Sequence, residues 1–236
     1  MMAQGQKMAP APKQGGSHGY CLYSQGTGPV DSPLMVAIWR GDTQAVSRLM
    51  ASDHDLNRTF TIPCNDGGDD LKTTPLLNAI RGGHVEMVQF LLEHGANPLF
   101  RASPSGSALL AAATLGNVLI VRLLLQHGAI VDDAGSDGET PLLRAAERPN
   151  NLAVIKELIA MKADVHAVTD AGNNTVMLAA GAHRADAVKF LVELGVDPCA
   201  KNDDGETAID RANSNLNEDP GKHEIIAFLQ EKCGHQ

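Results

Sequence analysis

Apolar and polar positions alternate in two short stripes that recur along most of the chain. Leu76, Leu109 and Leu142 each open a run of apolar residues, and Ala79, Ala112, Ala145 and Ala179 stand where the run must approach a neighbour closely. A second stripe follows at spacings of three and four: Val88, Leu91 and Leu92 in one copy, Val121, Leu124 and Leu125 in the next. That spacing marks one face of a helix, so each copy predicts two short helices. The first opens behind a Ser, Thr or Asn whose side chain can cap free N–H groups, and Pro75 and Pro141 fit its first turn. Gly83 and Gly116 end the first helix, where a left-handed residue is wanted, and Gly95, Gly128 and Gly195 stop the second.

Aligned on the capping residue, the copies begin at Ser32, Thr74, Ser107, Thr140, Asn174 and Thr207, with spacings by subtraction of 42, 33, 33, 34 and 33. Two short helices and a turn cannot bury their own apolar faces, so units of this period must stack side by side into a continuous core. The spacing of 42 places an insertion after the first copy, around Thr59–Gly68, which predicts a long finger. The fourth copy carries one extra residue near Pro149, Asn150 and Asn151, which widens its middle turn. The last copy reads as longer between its helices, from Ser214 to Lys222, and ends in polar Gln230, Glu231 and Lys232, as a solubilising end cap should. Residues 1–30 are rich in Gly, Gln, Pro, Ser and Ala and read as a largely disordered segment, interrupted by Tyr20, Cys21, Leu22 and Tyr23. The repeat domain is expected over residues 31–236.

Composition narrows the function. Aromatic residues are 3% of the chain, so small and aliphatic side chains must do the packing. The formal charge of -9, without a basic stripe, argues against nucleic acid and against an anionic membrane surface. No apolar run is long enough to span a bilayer. The cysteines Cys21, Cys64, Cys199 and Cys233 lie far apart and form no Cys-x-x-Cys pair. They are expected to be reduced thiols in a cytoplasmic or nuclear protein. The N-terminal residues show no apolar secretory core.

The repeating unit resembles the ankyrin repeat. Gly138-Glu139-Thr140-Pro141-Leu142 and Gly95-Ala96-Asn97 match that family's opening and closing motifs closely, and the resemblance runs from about Asp31 to Cys233. It implies an all-α solenoid of about six helix-turn-helix repeats joined by short hairpin-like turns. One departure is systematic: the family histidine of the opening motif is replaced by Met35, Leu77, Leu110, Leu143, Met177 and Asp210, so its inter-repeat hydrogen bond is expected to be absent.

No catalytic constellation stands out, and neither cofactor nor metal is expected; His94 and His127 recur because the repeat recurs. The resemblance instead implies a monomeric protein-binding module and not an enzyme, one that uses the concave groove of first helices and fingertips. Carried over position by position, that face includes Trp39, Arg40, Arg81, Thr114, Leu115, Glu147 and Arg148, with Asp70, Leu71, Ser103, Pro104, Asp137 and Asp204 at the tips. Trp and Arg are favoured anchors, which puts Trp39, Arg40, Arg81 and Arg148 at the centre of the expected site, together with the long loop after repeat one. Trp39 could instead pack under Tyr20–Tyr23 and close the stack, and the arginines could belong to a solvated, ion-paired face. A regulatory subunit or assembly chaperone for one client is the alternative function. The family also resembles substrates of asparaginyl hydroxylases. Leu49 to Asn57 fits their preferred spacing, with Asn57 as target, and Leu158 to His166 fits in outline, with His166 as target.

Overall fold

The structure is a computed structural model, described here over residues 32–51, 55–62, 71–101, 107–214 and 220–234. The expected N-terminal segment, with Tyr20 and Tyr23, and the tip residues Asp70, Ser103 and Pro104 lie outside the described residues. The chain runs α1 (Pro33–Trp39), α2 (Thr43–Met50), β1 (Phe60–Ile62), β2 (Leu71–Thr73), α3 (Pro75–Arg81), α4 (Val85–Glu93), α5 (Ala108–Leu115) and α6 (Val118–Gln126). It continues through α7 (Pro141–Ala146), α8 (Leu152–Ala160), α9 (Thr175–Gly181), α10 (Ala185–Glu193), α11 (Ala208–Ser214) and α12 (Pro220–Cys233). Odd-numbered helices pack on the next odd-numbered helix and even-numbered on the next even-numbered. The result is two parallel layers, an inner and an outer one, as an ankyrin solenoid requires.

Local chemistry explains the helix starts. Ser32, Thr74, Ser107, Thr140 and Asn174 each accept a hydrogen bond from the backbone N–H three residues on, at Met35, Leu77, Leu110, Leu143 and Met177. Each such cap stabilises its helix by about 1 kcal/mol. The close-approach alanines Ala79, Ala112, Ala145 and Ala179 are fully buried, which lets adjacent inner helices pack backbone to backbone. Val88, Val121, Ile155 and Val188 fill the seam with the outer layer. The turn after each of the first five inner helices holds a left-handed residue, supplied in order by Gly41, Gly83, Gly116, Asn150 and His183.

Hydrogen bonds between repeats survive the loss of the family histidine, because other positions make them. Asn78 Nδ2, fully buried, donates to the Met35 carbonyl at 3.1 Å. Asn151 Nδ2 donates to the Ala113 carbonyl at 2.7 Å. The His84 ring Nε2 bonds the Trp39 carbonyl at 2.6 Å, and the His183 Nε2 bonds the Ala212 carbonyl at 3.0 Å. A carbonyl can only accept, so both rings carry their proton on Nε2.

Three expectations change. The finger after repeat one has a paired stem, with β1 antiparallel to β2 in the register Phe60↔Thr73, Thr61↔Lys72 and Ile62↔Leu71. The last repeat has no gap reaching Lys222, because α12 already starts at Pro220 and is the longest helix of the described residues at 14 residues. Cys199 and Cys233 are not free thiols. They form a disulfide, with their Cα atoms 5.7 Å apart. Their 34-residue separation is one repeat, which places them on neighbouring layers of the stack.

Candidate functional site

The inner helices end in a row. Trp39 and Arg40 close α1, Arg81 closes α3, Thr114 and Leu115 close α5, and Glu147 and Arg148 follow α7. Arg40 and Leu115 are exposed, and the other five are half-buried. Leu115 is 52% exposed, an apolar side chain in the middle of a polar row. The Thr114 hydroxyl donates to the Leu110 carbonyl at 2.8 Å, so it is committed to its own helix. Arg81 donates to Thr73 Oγ1 at 3.1 Å, which ties the row to the hairpin stem. The Trp39 carbonyl holds His84, as described above.

Past this row, the surface deepens into an open notch of about 290 Å³ at the fifth repeat. It is lined by Leu178 of α9, Thr169, Asp170, Ala171, Asn173 and Arg211, with Asp137, Glu139 and Glu147 as its acidic wall. All but Glu147, which caps the end of α7, belong to an inner helix or a fingertip, and the volume is at the lower edge of small-molecule pockets. The notch exists because repeat five differs from its neighbours. In repeats four and six a fingertip glutamate pairs with an arginine five residues on: Glu139 with Arg144, and Glu206 with Arg211 at 3.5 Å. In repeat five the corresponding residues are Asn173 and Leu178, which leave the space between the two pairs open.

The acidic wall is undercompensated. Partial burial pushes the Glu139 carboxyl above its ordinary range. Arg144 opposes that shift, and neighbouring Glu147 and Asp137 reinforce it. Arg144 also reaches Glu147 at 3.6 Å, so one guanidinium serves two carboxylates.

The fingertips that carry these acids are locked to one another. Asp170 N–H donates to the Asp137 carbonyl at 3.0 Å, and Asp203 N–H donates to the Ala171 carbonyl at 3.2 Å. Gly138 takes φ +69 at its tip, with Asp170 packed directly against it. On the opposite, outer-helix side, charges pair across repeats. Arg122 holds Glu157 through two bonds of 2.8 and 2.7 Å, which lowers the carboxyl's pKa, and Lys189 holds Glu224 at 2.5 Å.

The structure therefore brings Asp137 and Glu147 together in the notch. It aligns Trp39, Arg40, Arg81, Thr114, Leu115 and Arg148 in the row beside it, and puts Leu71 apart in β2. Glu139, Arg144, Asp170, Asn173, Leu178 and Arg211 were not anticipated. For all but Asp170 the signal was the register itself: the residue before the cap and the residue four after it. Asn57 sits in a turn where its Oδ1 accepts the Asn97 N–H at 2.8 Å and its Nδ2 donates to the Gly95 carbonyl at 3.4 Å. His166 is exposed, and its backbone N–H is held by Asp164 Oδ1 at 2.9 Å. Among the described residues, no cluster of His, Cys, Asp or Glu is placed to hold a metal ion, and no helix is long and apolar enough to cross a membrane.

The chain is 36% identical over 146 residues to the putative palmitoyltransferase ZDHHC13 of Danio rerio, which covers 61% of this chain and 23% of that protein. It is 34% identical over 82 residues to the 2-5A-dependent ribonuclease of Mus musculus, which covers 35% of this chain and 10% of that protein. The chain thus spans less than a quarter of either relative. A family model described as ankyrin repeats matches three times, over residues 20–102, 98–169 and 144–236. With this match spanning most of its length, the chain belongs to the ankyrin-repeat family.

Proposed function

We propose that this domain is a protein-binding module whose inner-helix face receives one partner protein, centred on the row from Trp39 to Arg148 and the adjoining notch. The observation that carries the reading is the notch. Its acids and Arg211 converge on an open space at repeat five, on the face left uncovered by the outer layer. The row supplies complementary anchors: a tryptophan, arginines and the exposed Leu115. Arg81 also ties this row to the stem of the finger through Thr73. Among the described residues the notch is open to solvent, which suits recognition of a protein surface. A regulatory subunit or assembly chaperone with one tight client is the form this function takes if a single partner dominates.

The test is quantitative affinity capture by the full chain, compared with a Trp39→Ala, Arg81→Ala, Arg148→Ala triple variant and with Glu147→Lys. The reading expects specific partners to be lost from both variants while their melting temperatures stay near that of the wild type. Partners retained in full by both folded variants would overturn it. A lowered melting temperature for Trp39→Ala alone, with binding intact, would assign Trp39 to closing the stack.

A further inference from the structure

We infer that the Cys199–Cys233 disulfide is a redox clasp that keeps the last repeat docked on the stack. Three observations carry this. The last helix is anchored by few fully buried residues. Among the described residues α12 buries Ile225 and Leu229, with Ile226 and Phe228 partly buried against the core, and α11, which packs closely on α9, buries Ala208 and Ala212, whereas α9 alone buries six residues from Thr175 to Ala180. An end repeat also has one neighbour instead of two, so nothing on its far side compensates. The bridge joins the two parts that matter. Cys199 lies in the turn that follows α10, where its N–H is fixed by Asp197 Oδ1 at 2.9 Å, and Cys233 is the last residue of α12. Between α10 and α12 Lys189 also pairs with Glu224 and lies 6.0 Å from the Phe228 ring centroid; the ion pair's two side chains are 43% and 54% exposed, and such pairs contribute little.

The bond is opened by a dithiol reductant. Its thiolate attacks one cysteine sulfur and forms a mixed disulfide. The second thiol of the reductant then displaces the protein thiolate, leaving two protein thiols and the reductant as its own disulfide. Both cysteines are half-buried. Opening the clasp frees α12 and loosens α11, which carries Arg211 of the notch and the Ala212 carbonyl that holds His183. Reduction therefore also weakens the notch. That consequence rests on the function proposed above, while the clasp itself does not.

The experiment is hydrogen exchange followed by mass spectrometry on the full chain. The samples are the air-oxidised protein, the same protein in dithiothreitol, and the Cys199→Ser variant, with thiol alkylation of each to record the bridge. The expected result is that amides of α11 and α12 exchange faster by on the order of a hundredfold, both on reduction and in Cys199→Ser, as loss of a ring of this size allows. The amides of α3 to α8 keep their protection. Equal protection of α11 and α12 in all three samples would overturn the clasp. So would alkylation of Cys199 and Cys233 in the oxidised protein, or a uniform loss of protection along the whole chain on reduction. No partner is needed for any of these readouts, so a failed clasp is distinguishable from a failed binding function.

Discussion

Substituting Gly138 by Ala tests how the fingertips are held. Gly138 has φ +69, a conformation in which a side chain costs roughly 1–2 kcal/mol. A Cβ there would meet Asp170 Oδ1, which can rotate away, and would also lie 2.9 Å from the Asp170 backbone nitrogen, which cannot. The tip must shift, and the Asp170 N–H to Asp137 carbonyl bond is stretched or lost, at a further cost of about 1 kcal/mol. Ala also narrows the unfolded ensemble, which returns about 0.5–1 kcal/mol. The expected net destabilisation is about 2 kcal/mol. Gly128 is the control: its φ is +93, and a Cβ there meets nothing within 4 Å, so Gly128→Ala should cost about 1 kcal/mol or less. Urea unfolding followed by circular dichroism measures both, with the slope checked for loss of two-state behaviour in a repeat array. If Gly138→Ala proves no more destabilising than Gly128→Ala, the tip-to-tip contact adds nothing and the reasoning fails.

Lys162 occupies the turn position filled by glycine at Gly95, Gly128 and Gly195, with φ +72. Lys162→Gly should stabilise the protein by about 0.5–1 kcal/mol, seen as a raised midpoint in the same urea titration. Glu139 has a raised carboxyl pKa in the fold, so its contribution to stability is greatest when protonated and is lost as pH rises through that folded value. Glu139→Gln should therefore melt above the wild type at pH 7, and the gap should close below the unfolded carboxylate pKa of about 4.3. Glu157 is shifted the opposite way by Arg122, so Glu157→Gln should melt below the wild type at pH 7, with the gap again closing at low pH. Parallel thermal melts at the two pH values check both signs.

Most of the fold was legible because each repeat position has one physical job. The capping residues, the buried alanines and the left-handed glycines occupy the elements expected of them, since short-range sterics and hydrogen bonding fix each one. The inter-repeat bonds were less legible. Loss of the family histidine predicted their absence, yet Asn78 makes one in repeat two from the position where repeats three and five have Ala111 and Leu178. A single-copy substitution at a repeating position looks like drift until the neighbouring carbonyl is seen. The row along the inner-helix ends was legible for the same reason as the core. The notch was not, because it arises from a difference between copies: Asn173 and Leu178 set against the Glu–Arg pairs on either side.

The cysteines show why sequence distance misleads in a solenoid. In a globular domain, two residues 34 apart have no particular reason to meet, and Cys199 and Cys233 were accordingly read as separate thiols. In a stack with a period of 33 or 34, that separation carries the chain once around the unit and back to the same side of the adjacent layer. Translation by one repeat brings Asn97 N–H to Asn57 Oδ1, and likewise Asp164 N–H to Asp132 Oδ1 at 3.1 Å. It also pairs Arg122 with Glu157 and Lys189 with Glu224, each 35 residues apart. Once the period is known, one repeat of separation is evidence for proximity. Chemistry between such positions, whether an ion pair, a hydrogen bond or a disulfide, is what the architecture makes available at least entropic cost.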